Sequence, residues 1–190
     1  FEFYKSHASN LIRKATDADK RKHLIDDEGS KHYIDLDTFT EKLTPISWTD
    51  ACEKFTEDTL LSRGTLPWTI ERVYNSLVYE MMKFGNEGDS GISINRVIQL
   101  SADLGHYIGD AHVPLHTTTN YNGQFTDQRG IHALWETHVY ELTRRDWDIS
   151  NIEAIYIHDK RKWIFSIIFN SNSQVQEVLS KELIVRSQNT

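Results

Sequence analysis

The sequence predicts an all-α fold in one domain spanning residues 1–190, and three observations predict it. Apolar residues recur at three- and four-residue steps along most of the chain. Only one stretch, HYIDLD at residues 32–37, has the β-branched and aromatic content of a short extended segment, and one strand does not make a sheet. A length of 190 residues with 38% hydrophobic and 11% aromatic composition is enough to bury one substantial core.

Taken in order, residues 2–16 carry Phe3, Tyr4, Leu11 and Ile12 at loosely helical spacing. The first residues read as the interior of a helix without an N-cap, so upstream residues are expected. The charged stretch from Asp17 to Ser30 is expected to be a loop flanked by helical turns, followed by the extended segment at 32–37. A helix is expected from Trp48 to Leu61, ended by Arg63-Gly64. Pro67 then suits a first helical turn, and Ile70, Val73, Tyr74, Leu77, Val78, Met81 and Phe84 follow as the clearest amphipathic face in the chain. The glycines of GNEGDSG, residues 85–91, predict a turn.

Ser93 is a candidate N-cap for the next helix, whose apolar residues Ile94, Val97, Ile98, Leu104, Ile108 and Ala111 gather on one side. At about 100° per residue, Gln99, Asp103, His106 and Asp110 project from the other. That side is either a solvated face or a ligand-bearing face turned toward a cleft. Pro114 must end or kink this helix, because its ring lacks a donor and clashes with the preceding turn. Residues 117–130, rich in Thr, Asn, Gly and Asp, form a loop, and helical spacing resumes over Ile131–Leu142. Ser150 and Glu153 match a capping box, after which Trp163, Ile164, Ile167, Ile168, Val175, Val178, Leu179 and Leu183 fall on helical steps to about Val185.

The formal charge of −7 argues against a basic surface that tracks a phosphate backbone, although a bound metal could attract an anion locally. A single cysteine, Cys52, excludes an intrachain disulfide framework and a cysteine-rich zinc site. No apolar run reaches the roughly 18 residues of a membrane span.

Chemistry concentrates in residues 103–136, which hold His106, His112, His116 and His132 with Asp103, Asp110, Asp127 and Glu136. His106 and Asp110, and again His132 and Glu136, stand four residues apart, which puts each pair on one helical face within reach of one ion. His116 follows the helix-breaking proline between them. Imidazole and carboxylate donors in this pattern suit zinc. Asp103, one turn before His106, is either an outer hydrogen-bond partner of that ligand or an exposed helix carboxylate. His112 reads as a hydrogen-bonding or packing residue. His7, His23, His138 and His158 read as surface or capping residues, and Asn120, Asn122 and Asp127 as turn formers.

The string HYIGDAHVPLH followed by GIHALWE resembles the core motif of the zinc-dependent phospholipase C and single-strand-specific zinc nuclease superfamily, HxxxDxxxPxH and then HxxxD/E. The upstream HYIDLD and ADKR segments are similar to that family as well, so that the likeness spans roughly residues 17–140. It implies a multi-helix fold with a zinc cluster in a cleft. It also implies that His32, His106 and Asp110 bind one zinc together with an aspartate of the ADKR segment, Asp19 before Asp17. His116, His132 and Glu136 would bind a second zinc, and Asp110 would bridge from the first to a third. The family completes that third site with an N-terminal Trp and a nearby His. Here residue 1 is Phe, and His7 lies too close to Asp19 to match the spacing.

The activity implied is phosphoester hydrolysis by a zinc-activated water, with Asp19 and Asp110 in catalytic positions and Asp19 also able to accept the water proton. Glu136, where the nuclease branch usually has Asp, and a loop NYNGQFTDQRGIH without an Asp-Gly-Gly-Asn element lean toward a phospholipase C acting on a lipid headgroup. The alternatives are a single-strand-specific nuclease or 3'-nucleotidase, with Tyr121, Phe125 and Trp135 as base-stacking candidates, and a catalytically inactive zinc-binding protein. The resemblance implies a secreted or periplasmic location.

Overall fold

In the computed structural model, which describes residues 2–87, 91–148 and 153–188, three short helices come first: α1 (Glu2–Ser6), α2 (Ala8–Lys14) and α3 (Asp17–Arg21). A 3-10 helix, Asp26–His32, follows, so the charged stretch after Asp17 is more helical than its composition predicts. The segment expected to be extended at 32–37 is so only at its centre. His32 ends the 3-10 helix, Tyr33 is extended (φ −146°, ψ 171°), and Leu36–Thr38 turn again. The Ile34 amide finds its acceptor on the His116 carbonyl at 2.9 Å, not on a neighbouring strand. The described residues contain no strand.

The helix expected from Trp48 to Leu61 is two helices, α4 (Trp48–Phe55) and α5 (Glu57–Arg63). Thr56 divides them at φ +65°, and its hydroxyl accepts from the Thr59 amide as the N-cap of α5. Thr followed by Glu57 and Asp58 is a helix-start pattern whose acids favour the positive end of the new helix dipole, and it overrides the apolar periodicity running through it. Gly64 then ends α5 at φ +94°, where its missing Cβ lets the chain lie against the Tyr33 carbonyl.

The two long helices α6 (Leu66–Glu87) and α7 (Gly91–Ala111) pack along each other. On α6, Leu66, Trp68, Ile70 and Leu77 are buried, whereas Tyr74, Val78 and Met81 of the predicted apolar face stay exposed, so the core-facing stripe is narrower than the sequence implies. Residues 85–87 of the predicted turn are helical, and 88–90 lie outside the described residues. Ser93, read as an N-cap, falls inside α7, and its side chain and that of Phe84 also lie outside what is described. Helix α7 stops at Ala111, as Pro114 requires, and the proline opens a 3-10 turn, Pro114–Thr117.

After the polar loop come α8 (Ile131–Ala133), a π-helical stretch Leu134–Val139 and α9 (Tyr140–Thr143). Ser150 of the expected capping box lies outside the described residues, and Glu153 sits in non-helical chain. The next helix, α10 (Lys160–Ser173), is capped instead by Asp159, whose carboxylate accepts from the Lys162 amide at 3.1 Å. Helix α11 (Val175–Gln188) closes the chain.

The main core joins Trp68 and Ile70 of α6, Tyr107 and Ala111 of α7, and Ile164, Phe165 and Ile168 of α10. Burying each large apolar side chain is worth about 1.5–3 kcal/mol. A smaller cluster of Leu115, Ile131, Val175, Val178 and Leu179 fastens the 3-10 turn and α8 to α11. These two clusters anchor from behind the segments that carry His106, His116 and His132. Among the described residues no helix is long and apolar enough to cross a membrane.

Candidate metal centre

Each candidate ligand stands on a different short element or on α7. Asp19 lies in α3, His32 ends the 3-10 helix, and His106 and Asp110 sit one turn apart on α7. His116 lies in the turn opened by Pro114, His132 in α8 and Glu136 in the π-helical stretch. A π-helical turn inserts one extra residue into a helix and recurs at functional sites.

The side chains converge into two groups. In the first, His106 Nε2 is 3.1 Å from His32 Nδ1, 3.4 Å from Asp110 Oδ2 and 3.6 Å from Asp19 Oδ1. His32 Nδ1 is also 2.9 Å from Asp110 Oδ2 and 3.8 Å from Asp19 Oδ1. Donors bonded to one tetrahedral zinc lie about 3.3–3.6 Å apart, so this spacing accommodates such an ion. Asp17 is not part of the group; it pairs with Lys20 at 3.0 Å. In the second, Glu136 holds His116 Nε2 at 2.9 Å with one oxygen and His132 Nε2 at 3.2 Å with the other. The two imidazoles are stacked, with centroids 5.0 Å apart.

Hydrogen bonds on the far side of the rings decide what they offer. His106 Nδ1 lies 2.9 Å from the Ala15 carbonyl and His116 Nδ1 2.6 Å from the His32 carbonyl. A carbonyl oxygen only accepts, so both Nδ1 atoms carry protons, and in the neutral rings both Nε2 atoms present lone pairs to the groups described above. Carboxylate oxygens and imidazole lone pairs facing one another at these distances repel unless a cation lies between them. One N–H on His32 Nδ1 cannot satisfy Asp110, Asp19 and His106 together, whereas one ion can. His116 Nε2 is buried without a hydrogen-bond partner although Glu136 Oε1 lies 2.9 Å away. His32 Nε2 is also buried without a partner, at a cost of about 1–3 kcal/mol, but it lies across the ring from the first group, which meets at Nδ1. Donor chemistry in both groups, and the orphaned His116 nitrogen in the second, thus fit a metal ion in each of the two groups formed by Asp19, His32 and His106 and by His116, His132 and Glu136.

The titration tendencies agree. Burial alone would raise the Asp19 carboxyl, but the Lys22 ammonium 2.7 Å away and the charges on His106 and His32 outweigh it and hold the group below its ordinary value. Burial likewise opposes ionisation of Glu136, and His116 and His132 overcome it, taking the carboxyl far below the usual range. Burial would lower His116, yet Glu136, Asp110 and the His32 carbonyl raise it. The second group therefore draws positive charge to itself.

The two groups are joined. The His32 residue gives its side chain to the first and its carbonyl to His116 of the second, and Asp110 Oδ1 lies 3.5 Å from His116 Nδ1. Asp37 accepts from the Thr118 hydroxyl at 2.8 Å and from the Thr119 amide and hydroxyl at 3.1 and 2.7 Å, lacing the segment after His32 to the segment after His116. A cavity of about 410 Å³ opens beside both, walled by His32, Tyr33, Asp35, His116, Tyr121 and His132, with Lys22 at its edge. Two larger grooves, about 830 and 710 Å³, are lined by none of the residues of the two groups. Asp35 has its carboxyl raised to about 6, first by burial and then by the charge on Asp37.

Other sequence expectations fall elsewhere. Asp103 does not touch His106; it is buried and takes hydrogen bonds from Arg21 and Gln99. His112 Nδ1 bonds the Ile108 carbonyl one turn back. Asn120 and Asn122 bond the loop's own backbone at Phe125 and Gly130, as turn formers do. Tyr121 reaches the cavity wall, whereas Phe125 and Trp135 do not line it. His7 is bonded to the Phe3 carbonyl and stacked on the Phe3 ring, and residue 1 lies outside the described residues, so no third group forms among the described residues. The sequence reading missed Glu28, Asp35 and Asp37 as individuals, although both aspartates stand in the HYIDLD string.

Comparison with family models, with curated proteins and with solved structures finds no match to this chain.

Proposed function

We propose that this chain is a zinc-dependent phosphoester hydrolase of the phospholipase C and single-strand-specific nuclease kind, cleaving a phosphodiester and leaning toward a phospholipid headgroup as substrate. What carries the reading is one observation: two imidazole–carboxylate groups are linked through His32 and Asp110, and one cavity is walled by His32 of the first and by His116 and His132 of the second. Zinc ions held there would lower the pKa of a water molecule and neutralise charge on phosphate oxygens.

The chain's own residues supply the rest. Asp19 is the most open of the ligands, with 49% of its side chain exposed, and its depressed pKa keeps Oδ1 ionised at neutral pH. As an ionised, partly exposed carboxylate beside the other ligands it can accept a proton, although its lowered pKa makes it a weaker base than a free aspartate. Lys22, beside it, carries a positive charge toward an incoming phosphate. Asp110 spans the two groups with its two oxygens. Tyr33 and Tyr121 wall the cavity and limit what fits beside the phosphate. Their rings also favour a second reading, a nuclease or nucleotidase in which a base stacks in the cavity. A secreted or periplasmic location, which the resemblance of the motif implies, is part of this proposal.

Metal analysis of freshly purified, unchelated protein, together with turnover assays on a phosphatidylcholine, single-stranded DNA and a generic phosphodiester, tests the reading. Zinc with headgroup release supports the phospholipase C form, and zinc with cleavage of DNA the nuclease form. Zinc-loaded protein that turns over none of the three is a binding protein, and absence of zinc sinks the metal assignment. His132→Ala should remove one zinc, as should His116→Ala, whereas His138→Ala should remove none.

A further inference from the structure

Between α3, the 3-10 helix Asp26–His32 and α7 lies a second set of polar side chains, which no step above uses. Glu28 and Tyr107 are each 2% exposed and Asp103 8%. One guanidinium ties them together: Arg21 Nε is 3.1 Å from Glu28 Oε1, Nη1 is 3.1 Å from Asp103 Oδ1, and Nη2 donates to the Tyr107 oxygen at 3.3 Å. The Tyr107 hydroxyl donates onward to Glu28 at 2.6 Å, Lys31 closes on the other Glu28 oxygen at 2.5 Å, and Gln99 donates to Asp103 at 2.9 Å. Two cations meet two anions, so the set is neutral.

We propose that Arg21 is a positioning residue for the first metal group, holding Asp19, His32 and His106 at ligand distance through Glu28, Asp103 and Tyr107. The placement along the chain carries the argument. Arg21 is two residues after Asp19 in a helix of five residues, too short to hold its own shape. Glu28 is one turn before His32 in the 3-10 helix, and Asp103 and Tyr107 flank His106 on α7. Each segment that contributes a ligand is thus bonded to the same guanidinium. Only arginine offers several donors in a fixed planar fork that meets three acceptors at once. Stability alone does not call for this arrangement, because apolar residues of similar volume serve a buried space as well as an ion network does. Fixed distances between three elements are what the network adds.

The proposal rests on the metal reading, and the test keeps the two apart by using zinc alone as the probe, with affinity read by chelator competition. In a His132→Ala background only the first group remains complete, and in a His106→Ala background only the second. Zinc binding by these parents checks the metal reading itself, and its absence from both overturns that reading and the proposal with it. Arg21→Met should weaken zinc roughly 10–100-fold in the first background and leave the second unchanged. Because Arg21→Met strands Glu28 and could impair folding, Tyr107→Phe is the companion variant. It keeps every ion pair, removes one hydroxyl, and should weaken the first group in the same direction by less. Unchanged zinc affinity in the first background for both variants overturns the proposal, as does equal weakening of both groups.

Discussion

Two carboxyls near the candidate site are displaced in opposite directions, although burial pushes both upward. Glu28 is held at about 2 because hydrogen bonds from Lys31 and Tyr107 and the charges of Arg21 and Lys31 overcome its burial. Asp35 stands at about 6 because burial and the charge on Asp37 act together. The stability consequences have opposite signs. Glu28, depressed from 4.5, contributes fully above that value and loses its contribution as pH falls toward 2. In metal-free protein Glu28→Gln should therefore lower unfolding free energy by about 3 kcal/mol at pH 7, with the gap to the parent narrowing below pH 4.5 in urea melts. Asp35, raised from 3.8, costs nothing below that value, and its cost builds as pH rises from 3.8 to about 6 and is complete above it. Asp35→Asn should accordingly stabilise the chelated protein at pH 7.5 by roughly 1 kcal/mol, a figure reduced for partial exposure, and lose that advantage at pH 4. A stability gain for Asp35→Asn that does not vary between these pH values would show that its carboxyl is not displaced.

At the level of elements, the site is assembled where short pieces meet a long helix. Gly64 illustrates how tightly they fit: a Cβ there would overlap the Tyr33 carbonyl, which accepts from the Leu66 amide, and φ of +94° is closed to most side chains. Gly64→Ala should cost about 1–3 kcal/mol or more in thermal or urea unfolding, and because Tyr33 adjoins His32, zinc affinity should fall with it. Long elements were legible in the sequence. The apolar periodicity of α6 and α7, the stop before Pro114 and the return to helix at Ile131 all stand where residue spacing puts them. Breaks were less legible, since Thr56 divides a periodic run by a local cap and Asp159, not Ser150, starts α10. Caps depend on one hydrogen bond each, and many Ser, Thr and Asp residues offer one without being used.

On the scale of the molecule, the first group joins residues as far apart as Asp19 and Asp110 and the second joins His116 to Glu136. Metal bound in both would cross-link α3, the 3-10 helix, α7 and α8. Each site filled at a hundredfold excess over its Kd adds about 2.7 kcal/mol. At about 2–4 °C per kcal/mol for a chain of this size, zinc should raise Tm by roughly 10–20 °C over chelated protein in a calorimetric scan. A Tm indifferent to zinc would count against ions bridging these elements.

By itself the sequence determined the all-helical class and the convergence of chemistry on 103–136, because helical spacing places His106 with Asp110 and His132 with Glu136 whatever else the chain does. Tertiary structure alone decided that Asp19 and not Asp17 meets the histidines, that His32 touches both groups, and that Asp103 pairs with Arg21. Those outcomes depend on how separate segments pack. A residue's spacing fixes which face of its own helix it occupies, but its partners across the fold are set by the burial of Phe165, Leu115 and their neighbours, which no local pattern records.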